Sequence, residues 1–399
     1  MRIAIIDTTV GGEGIGGAHT FLPDLVSGLM GQNHELHLIT DGEPNQKVRE
    51  KIAATGVEIH TALWDPASLV EDAAPKLATW VNELAPDVFL ISTSADIGWV
   101  VLPLLDPNIA TLTIGHNDAL AYYEPARHYR DFLTTAIGVS DEICANYQSE
   151  SGLDKERVDW IPYGVRTSDV TLLDAGGPLK MVYVGRVEED QKRFSDLVKV
   201  AKRLFADGVD LVFHIVGDGE SMPQVRQQLA TEIAAGKVVL HGWLESDKVI
   251  DVVRESEVFV LASAFEGFCI ALVEAMANGC TPVVTDIKSG NKQLVEDGVN
   301  GFVVPIGDID AFVDKIKVLA ADRAKLLEFR RRAWETGRQY SVERMVESYE
   351  RCFETAIKDA RENPRTSDAN FPLMASCRSK YPLWLRRLKA KAMSFANFA

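Results

Sequence analysis

Alternating strand-like and helical stretches along 399 residues predict an α/β protein of two Rossmann-like domains, each a doubly wound parallel sheet. Three observations carry this expectation. The chain is too long for one ordinary core. Short, nearly continuous apolar runs such as Ile3–Ile6 and Val258–Leu261 read as strands buried on both faces. Gly-Gly-Pro at 176–178 interrupts the pattern near mid-chain, and a second series of strands starts directly after it.

In the first series the strands are Ile3–Ile6, Glu35–Thr40, Glu58–Thr61, Asp87–Ser92, Ala110–Ile114 and Ala136–Val139. Phe21–Met30 and Ala73–Leu84 have helical spacing between them. The second series runs through Met181–Val184, Leu211–Val216, Val238–Leu240, Val258–Leu261, Thr281–Val284 and Phe302–Val304, with Met222–Ala230 among the intervening helices. After Tyr340 a long helix extends to about Arg361 and no strand follows it. The expected division is residues 1–172, 173–340, a helix at 341–362 and a tail at 363–399.

The formal net charge of -16 argues against general nucleic-acid binding, because phosphates would be repelled. An anionic ligand then needs a local pocket of Arg, Lys and backbone N–H groups. The five cysteines form no C-x-x-C pair and no even disulfide framework, which fits a reducing cytosol. The opening run Met1–Ile6 is broken by Asp7 and is too short for a signal peptide, and no apolar run reaches the ~18 residues of a membrane span. A cytoplasmic location is expected.

Ligands of open parallel sheets bind beyond the carboxyl ends of the strands, so the strand-to-helix loops hold the candidates. Gly11-Gly-Glu-Gly-Ile-Gly-Gly-Ala-His-Thr20 follows the first strand and opens a helix. Its glycines either let the backbone approach a phosphate or simply make a tight turn. Gly185-Arg186 and Lys192 follow the first strand of the second series, where two cations suit a diphosphate, although taken alone the segment reads first as a solvated charge run. Gly217-Asp218-Gly219 is another glycine turn at a strand exit. The sharpest signal is Glu266-Gly267-Phe268-Cys269-Ile270, followed by Glu274. A buried strand ends at Ser263, a loop carries Glu266, and a helix begins near Cys269, so N–H groups there face an anion while both carboxylates accept from sugar or ribose hydroxyls.

This segment resembles the E-x7-E donor motif of retaining glycosyltransferases of family 4, which have the GT-B fold: two Rossmann-like domains with a cleft between them. The likeness extends in order over about residues 1–360. Gly16-Gly17 resembles the glycine loop over the diphosphate, and His116-Asn117-Asp118 the segment near the acceptor. Arg186 with Lys192 resembles the phosphate-gripping pair, Gly217-Asp218 the glycine turn of the donor domain, and Gly242-Trp243-Leu244 the base-pocket segment. The resemblance implies that Arg186 and Lys192 neutralise the leaving diphosphate, Glu266 contacts the transferred sugar and Glu274 holds the ribose. It places Gly267, Phe268, Cys269 and Ile270 at the donor, His116 as a catalytic residue on the reacting face, and His19, Asn117 and Asp118 on the acceptor side. The last helix is expected to cross back onto the first domain.

The chain departs from the family pattern in four places. Cys269 and Ala271 stand where a Gly and a Pro are usual, Arg193 replaces the Gly after the phosphate Lys, and the late glycine loop reads Ser289-Gly-Asn-Lys-Gln293. These changes keep the charges and alter pocket shape.

The implied activity is retaining transfer of a hexose-type sugar from a nucleoside-diphosphate sugar, UDP- or GDP-linked, to a hydroxyl on a glycan, a lipid-linked glycan or a small molecule. Two alternatives share the fold or the ligand: a nucleotide-sugar epimerase or hydrolase, and a non-catalytic nucleotide-sugar-binding protein. No clustered acidic metal signature is evident, so no obligatory cofactor or metal is expected. Residues 371–399 contain no Asp or Glu and carry six Lys and Arg with Trp384, Leu385, Leu388 and Phe395 at helical spacing. That stretch suits packing on the acidic body or on a second subunit, and its alternative is an anionic membrane surface, on the inner face of the membrane.

Overall fold

The computed structural model describes residues 1–8, 18–44, 46–61, 63–65, 68–93, 96–167, 169–172, 176–288 and 290–374; at 18–20, 47–48, 51 and 53 it describes the backbone alone. Gly16, Gly17 and the basic tail from 375 onward therefore lie outside the described residues, as does the His19 side chain. The chain forms two compact units. One contains residues 1–8, Ala18–Ile161 and the segment from Val346 to residue 374; the other contains Pro162–Met345.

The first unit holds a seven-stranded sheet: β1 (Arg2–Ile6), β2 (Glu35–Ile39), β3 (Glu58–His60), β4 (Val88–Ile91), β5 (Ala110–Gly115), β6 (Thr135–Gly138) and β7 (Val158–Trp160). The strand order is β3-β2-β1-β4-β5-β6-β7 and every pairing is parallel. β1, β4 and β5 are buried along almost their whole length, as strands covered on both faces must be, and β5 buries Thr111 and Thr113 among its apolar residues. β7 was not expected from the sequence. Val158-Asp-Trp160 has no apolar run, because it is a three-residue edge strand whose Trp160 stays 45% exposed.

The second unit repeats the plan with β8 (Leu179–Val184), β9 (Leu211–Val216), β10 (Val238–Gly242), β11 (Val258–Leu261), β12 (Thr281–Thr285) and β13 (Phe302–Val304). Its order is β10-β9-β8-β11-β12-β13, again parallel throughout. The connecting helices bury one stripe each. In Phe194–Ala206 the buried apolar residues are Phe194, Leu197, Val198, Val200, Ala201 and Leu204, with Asp196 buried beside them. The expected helix Met222–Ala230 is instead two, Met222–Gln228 and Ala230–Ala234. They break at Leu229, whose side chain is fully buried while its backbone (φ −108°, ψ 19°) leaves the helical range.

In each sheet the order reverses at one place, between β1 and β4 and between β8 and β11. Right-handed crossovers leave that point with helices on opposite faces and open a crevice at the strands' carboxyl ends. The final helix, Val342–Glu362, starts in the second unit and belongs to the first from Val346 onward. There it meets helix Ala18–Gly31 closely: a Cβ on Gly28 would lie 2.2 Å from Val346 Cγ2. The chain then lies on the first unit, where the Phe371 ring packs 4.7 Å from that of Phe132 and the Met374 N–H donates to Tyr129 Oη at 2.9 Å. Among the described residues no helix is long and apolar enough to cross a membrane.

Candidate active site

The loops leaving β8 and β11 meet at the reversal point of the second sheet. Tyr183, near the end of β8, donates its hydroxyl to the Arg186 carbonyl at 2.5 Å and packs edge-on against Phe194, which fixes the loop's first bend. The loop then crosses to the exit of β11, where the Ala264 N–H donates to the Gln191 carbonyl at 2.8 Å.

Glu266 is the centre of the arrangement. It is 8% exposed, and its Oε1 accepts from Lys192 Nζ at 2.6 Å and from Ser263 Oγ at 2.7 Å. Its Oε2 accepts from Gln191 Nε2 at 3.2 Å. Gln191 Nε2 also donates to the Phe265 carbonyl, while its Oε1 accepts from Arg186 at 2.6 Å. The Gln191 amide thus ties Arg186 to the carboxylate of the β11 loop, which Lys192 reaches directly. Burial acts to lower the Lys192 pKa, but the Glu266 charge and hydrogen bond outweigh it and hold the ammonium above its ordinary value. Lys192 has three donors and Glu266 uses one, so two remain for a ligand. Arg186 is half exposed and also pairs with Glu188 at 3.3 Å.

Past Glu266 the chain is buried at Gly267, Phe268 and Cys269, and helix Ile270–Ala277 begins with Cys269 as its N-cap and no side chain capping it. Its first N–H groups supply the positive end of a helix. Glu274 stands half-buried in the second turn. Phe268 packs against Tyr163 and Tyr340, and a Cβ on Gly290 would meet its ring at 2.6 Å.

Backbone packing explains the glycine turn. A Cβ on Gly217 would sit 1.9 Å from the Gly185 carbonyl oxygen, and one on Gly219 would sit 2.3 Å from that of Val187. The Val187 N–H donates to Asp218 O and the Gly217 N–H to Gly242 O, so the exits of β8, β9 and β10 are locked together. The Asp218 carboxylate accepts from its neighbour's N–H at Gly219. Gly242, the last residue of β10, has φ +65°; beyond it Trp243 is 43% exposed and Leu244 is half-buried.

Two departures from the family pattern acquire physical reasons. Arg193 sits at φ +46°, the left-handed region that favours glycine, and its guanidinium holds the buried Asp196 at 2.6 Å. Cys269 sits at φ −78°, which any residue adopts, and burial pushes its thiol up to about 12.

In the first unit His116 follows β5, 9% exposed, edge-on to the rings of Phe21 and Tyr122. Burial drives its pKa down to about 4, against the opposing pull of the Asp7 charge and the Ser92 backbone. Asp7 directly follows β1, is itself buried, and accepts from Ser92 Oγ at 2.9 Å. Asn117 and Asp118 are exposed, with Asp118 held by Tyr123 Oη and Asn146 Nδ2, both at 2.9 Å.

The structure thus brings Arg186, Lys192 and Glu266 together around Gln191 and Ser263, which the sequence reading had passed over; their only signal was adjacency to the motif residues. Asp7 was missed as well, its signal being its place at the first strand's exit.

Residues 15–169 match the model of Glycosyltransferase Family 4 and residues 168–340 that of Glycosyl transferases group 1. The lipopolysaccharide 1,6-galactosyltransferase of Salmonella typhimurium is 28% identical over 49% of this chain and 54% of its own length. The chain thus spans about half the length of the first curated relatives it matches. The phosphatidyl-myo-inositol mannosyltransferase of Mycolicibacterium smegmatis is 24% identical over 85% of this chain and 90% of its own. The crystal structure of Anabaena HepE in complex with UDP and glucose superposes with a TM-score of 0.69 at 16% identity, covering 89% of this chain and all of that one. The fold is GT-B. With the two models together running through residues 15–340, the chain belongs to the family 4 glycosyltransferases.

Proposed function

We propose that this protein is a retaining glycosyltransferase that moves a hexose-type sugar from a UDP- or GDP-sugar to a hydroxyl acceptor on a glycan or lipid-linked glycan. The observation that carries the reading is the buried Lys192–Glu266 pair, linked through Gln191 to Arg186 at the reversal point of the second sheet. Glycosyl transfer develops positive charge on the sugar ring and negative charge on the departing phosphate. Arg186, the two remaining donors of Lys192 and the first N–H groups of helix Ile270–Ala277 are fixed in advance around one anion, so they stabilise the leaving group without reorganising. Glu266, clamped by three donors, keeps lone pairs for a sugar hydroxyl, and Glu274 serves the ribose. Same-face attack then delivers the acceptor oxygen beside the departing phosphate, whose oxygen takes the acceptor proton. His116, its pKa lowered to about 4 by burial, would take part as an imidazole rather than an imidazolium at physiological pH.

The HepE complex with UDP and glucose supports a uridine donor, and the galactosyl and mannosyl relatives support a hexose. An acceptor carried on lipid, as the name of the mannosyltransferase states for that relative, would give residues 371–399 a membrane surface to rest on. The test is a thermal-shift screen of UDP-, GDP- and ADP-sugars followed by turnover and NMR of the product's anomeric configuration. One donor class should raise the melting point, and Glu266→Gln and Arg186→Ala should each lower turnover by about 10²–10³-fold. Wild-type turnover in both variants sinks the site assignment; an inverted anomer sinks the retaining mechanism.

A further inference from the structure

At the far edge of the first sheet, β2 and β3 pair with His37 opposite Glu58 and Ile39 opposite His60. Strand side chains alternate, so Glu58 and His60 point to the same face, and His37 joins them there. His37 Nδ1 lies 2.9 Å from His60 Nε2 and 3.5 Å from Glu58 Oε2, and His60 Nε2 lies 3.7 Å from the same oxygen. An ion bonded tetrahedrally at about 2.1 Å holds its ligand atoms about 3.4 Å apart. The three atoms form one triangular face of such a site.

We infer that His37, Glu58 and His60 form a binding site for a divalent transition-metal ion of the zinc class. His37 is also oriented toward this triangle. Its other ring nitrogen, Nε2, lies 3.1 Å from Glu35 Oε1, and Arg2 Nε donates to that oxygen at 2.8 Å. A proton held on Nε2 by Glu35 leaves the Nδ1 lone pair directed at the triangle, which is how a carboxylate behind a histidine prepares it for a metal. His60 is held in turn by Trp80, whose ring centroid lies 4.6 Å away. Two imidazoles and one carboxylate suit zinc, copper or nickel and do not suit magnesium or calcium, which take oxygen ligands. His37 is buried, whereas the Glu58 side chain is 69% exposed, so the open side faces solvent and admits a fourth ligand from water.

A comparable pair in the second unit gives an internal control. His214 Nδ1 lies 3.0 Å from His241 Nε2 across β9 and β10, with no carboxylate among the described residues completing a group of three. The full chain, stripped with chelator and dialysed, is titrated with zinc sulfate by calorimetry, with thermal melting as a second readout. Wild type and His241→Gln should each bind one ion per chain with the same affinity and melt at a higher temperature with zinc. His60→Gln and Glu58→Gln, at accessible positions, should lose at least tenfold in affinity, and Glu35→Gln should lose roughly 10-fold through the tautomer of His37. Melting of the stripped variants shows that they remain folded. Absence of stoichiometric binding by the wild type overturns the proposal, as does undiminished binding by folded His60→Gln.

Discussion

At the residue scale, burial decides which ionisable groups carry charge. His116 has the same imidazole as any histidine, yet its site excludes the water that would solvate a cation, and its pKa falls to about 4. The unfolded chain takes up a proton near pH 6.5 while the folded chain resists until about 4, so the stability from neutral His116 is complete above pH 6.5 and is lost as pH falls towards 4. The loss amounts to about 3 kcal/mol at most. The urea midpoint of the wild type should therefore drop more between pH 7 and pH 4.5 than that of His116→Gln. Parallel pH profiles for the two would show that the imidazole is solvated in the folded state. Lys192 shows the opposite balance, since Glu266 beside it more than offsets desolvation and keeps the ammonium charged. Both residues stood out in the sequence. The hydroxyl and the amide that orient Glu266, from Ser263 and Gln191, did not, because Ser and Gln beside a motif look like ordinary polar loop residues until a second strand exit is placed against them.

At the element scale, strand exits are locked to one another by backbone, and glycine is the residue that permits the contact. Gly217→Ala would push a Cβ to within 1.9 Å of the Gly185 carbonyl, with φ at +127° adding strain. It should cost about 2–4 kcal/mol and displace the loop carrying Arg186, so donor binding weakens as well. Gly236→Ala is the matched control: φ is +70° but nothing lies within 4 Å of the added methyl, so about 1 kcal/mol and no change in donor affinity are expected. Denaturant melts and the donor thermal shift separate the two; equal losses in both variants would mean that left-handed backbone alone, and not the packing against Gly185, sets the requirement.

At the scale of the whole molecule, the first unit is discontinuous in sequence. Helix Val342–Glu362 begins in one unit, and from Val346 its buried residues Val346, Tyr349, Phe353 and Ala360 belong to the other. Residues 363–374 extend the same packing, with Phe371 against Phe132 and Tyr129. A chain ended at Met345 should thus lose stability in its first unit, exposing the apolar groove lined by Phe21 and Gly28. Two melting transitions, the lower one shifted down by many degrees, are expected in calorimetry; a single unshifted transition would show that the final helix contributes nothing to that unit.

What the sequence determined by itself is local or periodic. Apolar runs of the right length mark strands such as β11 and β13 to the residue, helical spacing marks the final helix, and strand exits carrying glycine, Arg186, Lys192 and Glu266 mark where chemistry would gather. These features are legible because burial on two faces and loop charge leave their trace in neighbouring residues. What only the tertiary structure decided depends on residues far apart in the chain. β7 owes its existence to pairing with β6, and Lys192 meets Glu266 across 74 positions. The histidine pairs across β2–β3 and β9–β10 are likewise products of sheet register. Parallel pairing puts its partners tens of residues apart, and no window of sequence reports which side chains it brings within 3 Å.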